Sequence, residues 1–185
     1  MKSTKTLILG MALAALLGVM IVGAAEMPTV GMTAPGFTLP SQEGSQVSLS
    51  DFKGKWVVLY FYPKDFTQGC TIEARNFQAD QAQYTAKNAA IVGISADTVD
   101  SHKDFCTQEN LTFKTLADPA LTTIDKYGSK QKLEGKMKEA LGQDYIAARN
   151  TFLINPQGKI VKVFTKVNPQ PHSKEVLMAL DELQK

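Results

Sequence analysis

The chain has 185 residues, of which 44% are hydrophobic and 21% are charged, so its composition is that of one folded globular domain and not of a disordered segment. Its first 25 residues hold two of the 20 basic residues and none of the 18 acidic ones, which leaves residues 26–185 with 18 of each. A neutral domain without a basic stripe gives no support for nucleic-acid binding.

The first 25 residues have the three parts of a secretory signal peptide. Lys2 and Lys5 form a basic start, an uncharged apolar run covers residues 6–25, and the small residues Gly23 to Ala25 end it. We predict cleavage near Ala25 and export to the periplasm or the medium. The alternative is an uncleaved membrane anchor facing the periplasm, because about 20 apolar residues can span a bilayer.

Residues 26–185 form one predicted domain that begins with a Pro- and Gly-rich stretch from Met27 to Ser50, which indicates a short β-hairpin. Trp56 to Phe61 is a continuous apolar run, which predicts a strand buried on both faces. A loop from Pro63 to Gly69 follows. The next pattern predicts a helix from about residue 70 to residue 84, since four residues share one helical face: Cys70, Ala74, Phe77 and Tyr84.

The rest of the chain continues the alternation of strands and helices. The predicted elements are a buried strand at 89–94, a helix at 101–110, a strand at 113–116, a helix at 121–127, a mobile Lys-rich segment at 128–142, a β-hairpin of strands 151–154 and 160–164, and a closing helix at 173–183. This order predicts an α/β sandwich with a central mixed sheet, which fits a thioredoxin-like fold with an N-terminal hairpin extension.

Cys70 and Cys106 are the two cysteines, and in an exported protein two cysteines suggest a disulfide pair, either structural or reactive. Cys70 stands where a buried strand, a loop and a helix meet. A thiol at a helix N-terminus faces unpaired N–H groups and the positive end of the helix dipole, and both favour the nucleophilic thiolate. Gly69 before it permits close approach of a ligand. Position alone leaves an inert buried cysteine equally open.

The segment before Cys70 resembles the peroxiredoxin active-site motif Pro-x3-Thr-x2-Cys, with Pro63, Thr67 and Cys70 in register. The longer stretch FYPKDFTQGCTIEARNF is most similar to the bacterioferritin-comigratory, or peroxiredoxin Q, subfamily, and the resemblance runs from about Val30 to the C-terminus. It implies a thiol-dependent peroxidase that acts on hydrogen peroxide and organic hydroperoxides. Cys70 is then the peroxide-reactive thiolate, and no metal or other cofactor is expected.

The resemblance also gives roles to the neighbours of Cys70. The hydroxyl of Thr67 would bond a peroxide held over the sulfur, and Pro63 has no N–H to compete for it. The segment 147–154 resembles the family stretch in which Arg149 supports the thiolate and polarises the peroxide, and Glu73 is a weaker match that would orient this arginine. The alternatives are a helix cap for Thr67, a solvated surface arginine, and an ordinary first-turn acid.

Many subfamily members carry the resolving cysteine five residues after the first, where this chain has Arg75. A subset resolves from the next helix, so the resemblance implies that Cys106 forms an intramolecular disulfide with Cys70. A thioredoxin-like protein of the same compartment would re-reduce it, and we expect a monomer. The alternative for Cys106 is a core thiol. His102, one turn earlier, is expected to be a surface histidine, the alternative being a base for Cys106.

Two other activities on the same fold lack their motifs. A thiol–disulfide oxidoreductase of the thioredoxin kind needs Cys-x-x-Cys, but Thr67 occupies the first position, and Asn150 stands where such a protein carries Pro. A copper-delivery protein needs Cys-x3-Cys, and Phe66 and Ala74 exclude that pair. A redox-regulated binding module without peroxidase activity is the remaining alternative.

Overall fold

The computed structural model describes residues 26–185, and the predicted signal peptide or anchor at 1–25 lies outside the described residues. Within the described range, no helix is both long enough and apolar enough to cross a membrane. The strands are β1 (Thr38–Pro40), β2 (Gln46–Ser48), β3 (Trp56–Phe61), β4 (Ala89–Ser95), β5 (Lys114–Ala117), β6 (Lys130–Lys132), β7 (Tyr145–Ala147), β8 (Asn150–Ile154) and β9 (Ile160–Phe164). The helices are α1 (Gln68–Ala79), α2 (Gln81–Ala86), α3 (Val99–Glu109), α4 (Thr122–Lys126), α5 (Gly135–Leu141) and α6 (His172–Leu183).

A five-stranded mixed sheet in the order β5-β4-β3-β8-β9 forms the centre of the domain. Strands β3, β4 and β5 are parallel, whereas β8 is antiparallel to both β3 and β9. Strands β1 and β2 form a separate antiparallel hairpin. The α/β class, the mixed sheet and the N-terminal hairpin are therefore confirmed.

Strand β3 is buried on both faces, as its continuous apolar sequence predicts. Val58 and Tyr60 pack into one core cluster with residues of α1, α2, α3 and α6, and Val57, Leu59 and Phe61 pack into the other. Because β3 lies at the middle of the sheet, the loop that follows it emerges over the centre of the domain.

The predicted helix at 70–84 is two helices, α1 and α2, separated at Asp80. The carboxylate of Asp80 accepts hydrogen bonds from Ser173 Oγ at 2.8 Å and Lys174 Nζ at 2.5 Å, both on α6. The break between the two helices thus coincides with contacts from Asp80 to α6. The periodicity of the local sequence does not indicate these contacts. The helix also begins at Gln68, so Cys70 is its third residue and not its first.

The Lys-rich segment at 128–142, expected to be mobile, is structured. It forms β6 and α5, and β6 pairs antiparallel with β7. Leu133 is buried and its N–H donates to the carbonyl of Asp144, which explains how a polar segment is held. The other predicted helices and strands exist, with bounds that differ from the predicted ones by at most two residues.

Candidate active site

Cys70 lies in the first turn of α1 and is 1% exposed. The residue before the helix, Thr67, has an extended backbone, so the chain turns into the helix directly after the loop. The N–H groups of this first turn have no partner within the helix. Their dipoles and the helix dipole favour negative charge on the sulfur.

Arg149 brings a cation to this sulfur from a distant part of the chain. Its backbone directly precedes β8, and its Nη2 donates to Cys70 Sγ at 3.2 Å. Its Nη1 donates to the carboxylate of Glu73, which lies one turn after Cys70 on α1. The side chain of Arg149 is 14% exposed and that of Glu73 is fully buried. The surface-arginine alternative is therefore wrong, since the guanidinium is largely enclosed and bridges the thiol and a carboxylate.

The titration of this ion pair is shifted by its burial. Burial raises the pKa of Glu73 to about 7, against the opposing effect of the Arg149 charge. Burial alone would lower the pKa of Arg149, but the Glu73 carboxylate and Cys70 raise it above its ordinary value. The guanidinium stays charged, whereas the carboxyl group changes its charge close to neutral pH.

Gly69 leaves room for Arg149. A Cβ at this position would lie 3.3 Å from Arg149 Nη2 and 3.5 Å from Pro169 Cγ. In this structure the group that approaches Gly69 closely is the Arg149 guanidinium.

Thr67 occupies the N-cap position of α1, but its hydroxyl does not cap the helix. Instead, Oγ1 donates to the carbonyl of Lys64 at 2.9 Å. This bond fixes the hydroxyl proton on the protein and leaves the oxygen lone pairs available to a donor. Pro63 stands half-buried at the bend two residues after the end of β3.

Cys106 lies on the buried face of α3, and its Sγ is 3.2 Å from Thr115 Oγ1 on β5. Burial raises the pKa of this thiol, and the Thr115 hydroxyl opposes the shift. Both cysteines are free thiols. The structure holds the two thiols on different helices, where Cys70 contacts Arg149 and Cys106 contacts Thr115.

Tyr60 lies on β3 between these two environments. Burial raises its pKa well above the ordinary value, and the charges of Glu73, Cys106 and Cys70 add to this shift. Its hydroxyl is buried and has no hydrogen-bond partner within residues 26–185. Sequence reasoning did not identify this residue.

His102 is fully buried, so its expected place on the surface is wrong. Its Nδ1 is 2.8 Å from Asp65 Oδ2. The spacing of His102, Phe105, Cys106 and Glu109, all buried on α3, is a helical face that could have indicated this burial. Asp65, in the loop after β3, was also missed, because a polar loop residue is normally exposed.

Cys70, Glu73 and Arg149 are in direct contact, and Thr67 lies three residues before Cys70 at the start of the same helix. Cys106 belongs to the same core cluster as Cys70, but its sulfur contacts Thr115 of the edge strand β5. Across the described residues, no group of three His, Cys, Asp or Glu side chains is placed to hold a metal ion.

Both the sequence and the structure are similar to those of known proteins. Residues 30–163 match the model of the AhpC/TSA family. A peroxiredoxin of the Bcp kind from Helicobacter pylori is 42% identical over 155 residues, which are 84% of this chain and 99% of the relative.

Two solved structures share the fold over most of both chains. The peroxidoxin BcpB of Mycobacterium tuberculosis matches with a TM-score of 0.77 at 30% identity, covering 86% of this chain and 100% of that one. The bacterioferritin comigratory protein of Xanthomonas campestris, studied for its alkyl peroxide reduction activity, matches with a TM-score of 0.74 at 30% identity, covering 87% of this chain and 98% of that one.

Proposed function

The chain belongs to the AhpC/TSA family and, within it, to the peroxiredoxins of the Bcp and Q group, which are thiol-dependent peroxidases, and we propose that Cys70 is the residue with which it attacks peroxides. One observation carries this assignment, the 3.2 Å contact between Arg149 Nη2 and Cys70 Sγ. An enclosed guanidinium beside the sulfur would not stabilise an inert, protonated core thiol. A thiolate nucleophile is stabilised by one.

In the proposed reaction the Cys70 thiolate attacks one oxygen of the hydroperoxide. The S–O bond forms as the O–O bond breaks, Cys70 becomes a sulfenic acid, and the other oxygen leaves as water or an alcohol after taking a proton. Negative charge moves from sulfur to the leaving oxygen during this step. Arg149 is placed to stabilise both ends of that movement, because its guanidinium has donors to spare after bonding Glu73.

We assign Thr67 to binding the substrate. Its hydroxyl proton is donated to the Lys64 carbonyl, so its oxygen can accept a hydrogen bond from the O–H of a hydroperoxide held over the sulfur. Pro63 adds no competing N–H at the loop entrance. Glu73 is a positioning residue, which holds the plane of the Arg149 guanidinium through Nη1 while Nη2 faces the sulfur.

Cys106 is the proposed resolving thiol. It would condense with the Cys70 sulfenic acid to give an intramolecular disulfide. A disulfide requires Cα atoms within about 7 Å, whereas here both thiols are free, lie on separate helices, and contact different side chains, Arg149 and Thr115. The first turn of α1, the helix α3, or both must therefore open locally before the bond forms.

The wider setting of the enzyme completes the proposal. Hydrogen peroxide and organic hydroperoxides are the substrates, and the alkyl peroxide activity of the Xanthomonas campestris relative supports the second class. We propose that residues 1–25 direct export, that the domain acts in the periplasm as a monomer, and that a thioredoxin-like protein there reduces its disulfide. Mass spectrometry of the native protein tests the export step, since a soluble cytosolic pool that retains Met1 would contradict it.

The test of the site compares variants in single-turnover oxidation by peroxide. Cys70→Ser should abolish peroxide consumption. Thr67→Val and Arg149→Ala should each slow oxidation of Cys70 by about 10²-fold or more, the scale of losing one preorganised donor. A Cys70→Ser variant that still consumes peroxide would overturn the assignment, and near-normal oxidation in either of the other variants would remove that residue from the site.

The role of Cys106 is tested by peptide mapping after one equivalent of peroxide. The expected product is a Cys70–Cys106 disulfide within one chain. In Cys106→Ser, oxidation of Cys70 should stay fast, while turnover with a dithiol reductant falls and sulfinic acid accumulates. A wild-type product with only an intermolecular Cys70 disulfide, or none, would make Cys106 structural.

A further inference from the structure

A buried polar cluster joins the loop before Cys70 to the helix that carries Cys106. This loop–helix cluster consists of Tyr62 and Asp65 from the loop and Ser101 and His102 from the first turn of α3. The Asp65 carboxylate accepts from Tyr62 Oη at 2.8 Å and from Ser101 Oγ at 2.7 Å, and His102 Nδ1 is 2.8 Å from it. Asp65 is 3% exposed.

The geometry indicates how the cluster is bonded. A carboxylate only accepts hydrogen bonds, so His102 carries its proton on Nδ1 and donates it to Asp65. The backbone N–H of Asp65 donates to Asp97 Oδ2 at 2.9 Å, and Ser95 Oγ donates to the same oxygen at 2.7 Å. Asp65 thus ties the loop both to α3 and to the end of β4. Bonds of this kind to a buried carboxylate are stronger than those between neutral groups.

The other contacts that join the loop or α1 to α3 are weaker. Arg75 pairs with Glu109 farther along α1 and α3, but the arginine side chain is 64% exposed, and water screens such a pair. Phe66, in the loop, contacts Phe105 of α3 edge to face with ring centroids 5.2 Å apart, and it is 46% exposed. The loop–helix cluster is therefore the principal buried polar connection between the loop and α3 in the described part of the chain.

We propose that Asp65 and His102 are positioning residues that hold the loop before Cys70 against α3, and that their separation controls how fast Cys106 reaches the oxidised Cys70. This proposal rests on the proposed resolving role of Cys106. His102 lies one helical turn before Cys106, so α3 cannot carry Cys106 toward Cys70 as a unit without disturbing the cluster. The cluster makes no hydrogen bond to Cys70 or Arg149 among the described residues, and the Thr67 hydroxyl bonds the Lys64 carbonyl instead, so we expect the cluster to act on the second chemical step.

The step that the cluster controls is the condensation of the two cysteines. The Cys106 sulfur attacks the sulfur of the Cys70 sulfenic acid, the S–S bond forms and the S–O bond breaks. The hydroxide that leaves takes the proton that Cys106 gives up and becomes water. Peroxide supplied the oxidising equivalent in the first step, so no further oxidant is needed.

Single-turnover kinetics of Asp65→Asn test the proposal. Full-length protein is mixed with hydrogen peroxide, quenched with acid at set times, and analysed by peptide mass for Cys70 sulfenic acid and for the disulfide. Sulfenic acid formation should keep close to the wild-type rate. Disulfide formation should accelerate by about tenfold or more, the scale of removing one charge-assisted hydrogen bond from the closed form. Sulfinic acid at high peroxide should fall in parallel.

Asp80→Asn is the matched control. Asp80 is also a buried carboxylate with three side-chain hydrogen bonds, but it ties α1 to α2 and α6 and not the loop to α3. It should leave the rate of disulfide formation unchanged even where it lowers stability. Ser101→Ala removes one bond of the loop–helix cluster and should give a smaller acceleration, so the proposal stays testable if Asp65→Asn does not fold.

The outcomes separate this proposal from the one on which it rests. A wild-type chain that forms no Cys70–Cys106 disulfide overturns the resolving role and this proposal with it. A wild-type chain that forms the bond, together with Asp65→Asn and Ser101→Ala variants that form it at the wild-type rate, overturns this proposal alone. Equal acceleration in Asp80→Asn would show a general loosening of the fold and would overturn it as well.

Discussion

Replacing Glu73 by glutamine tests the electrostatics of the site without removing its shape. The carboxyl group is 1% exposed, and one of its oxygens accepts from Arg149 Nη1 while the other has no partner within residues 26–185. Glutamine has nearly the same volume and keeps an oxygen for the guanidinium. The substitution therefore removes the titrating charge and leaves the packing in place.

The direction of the effect follows from the raised pKa. The folded protein holds a proton on Glu73 up to a pKa of about 7, whereas the ordinary value is 4.5. The folded state thus binds more protons than the unfolded chain between these two values, so the free energy of unfolding falls as the pH rises through this window. A displacement of this size at 1.36 kcal/mol per unit corresponds to a loss of up to about 3 kcal/mol.

Urea unfolding of wild type and Glu73→Gln at intervals between pH 4.5 and pH 7.5 measures this loss. Relative to wild type, the variant should gain stability as the pH rises across the window, whatever the fixed cost of weakening its bond to Arg149. A stability difference between the two proteins that stays constant with pH would contradict this expectation. It would mean that Arg149 offsets the burial of the carboxylate completely.

Three further changes probe the packing around the site. Gly93→Ala should lower the free energy of unfolding by about 1–3 kcal/mol, because a Cβ there would lie 2.7 Å from the Tyr60 ring; unchanged urea unfolding would show that the ring moves freely. Tyr60→Phe should raise the same quantity by about 1 kcal/mol, since the buried hydroxyl has no partner in the described chain; a loss of stability would reveal a bond to it. Burial lowers the pKa of His172 from 6.5 to about 4, so the folded state binds fewer protons than the unfolded chain and wild type loses stability as the pH falls through this window. His172→Gln should lack this loss when acid unfolding is followed by circular dichroism, and identical acid transitions would contradict the assignment.

The sequence predicts the elements whose signal is local. Trp56–Phe61 and Ala89–Ser95 are dense apolar runs, and the apolar face of α1 repeats at helical spacing, so burial and period agree. The break at Asp80 and the strand pair formed by Lys130–Lys132 depend on residues far along the chain. No local pattern contains those contacts, and for that reason the sequence predicts one helix and a mobile segment in their place.

The residues of the site also divide into those that have a local signal in the sequence and those that depend on distant contacts. Cys70 and Thr67 follow from a motif in one stretch of chain, and Arg149 follows from a resemblance of a second stretch. Asp65 and His102 are 37 positions apart in the chain and meet only in the folded protein, so neither stands out in the sequence by itself. Their burial comes from tertiary packing, although the helical spacing of His102 with Cys106 contains a part of the signal.

The environments of the two thiols suit the proposed order of events. Cys70 has an enclosed guanidinium on its sulfur, whereas Cys106 has only the Thr115 hydroxyl, and burial raises the pKa of Cys106. In the closed form Cys106 therefore remains a protonated thiol, which is a poor nucleophile and does not compete for peroxide. Opening of α3 would expose this sulfur to water and remove the effect of burial, so the same movement that brings Cys106 toward Cys70 also makes it reactive. The loop–helix cluster, by holding α3 closed, then controls both the position and the reactivity of the second thiol.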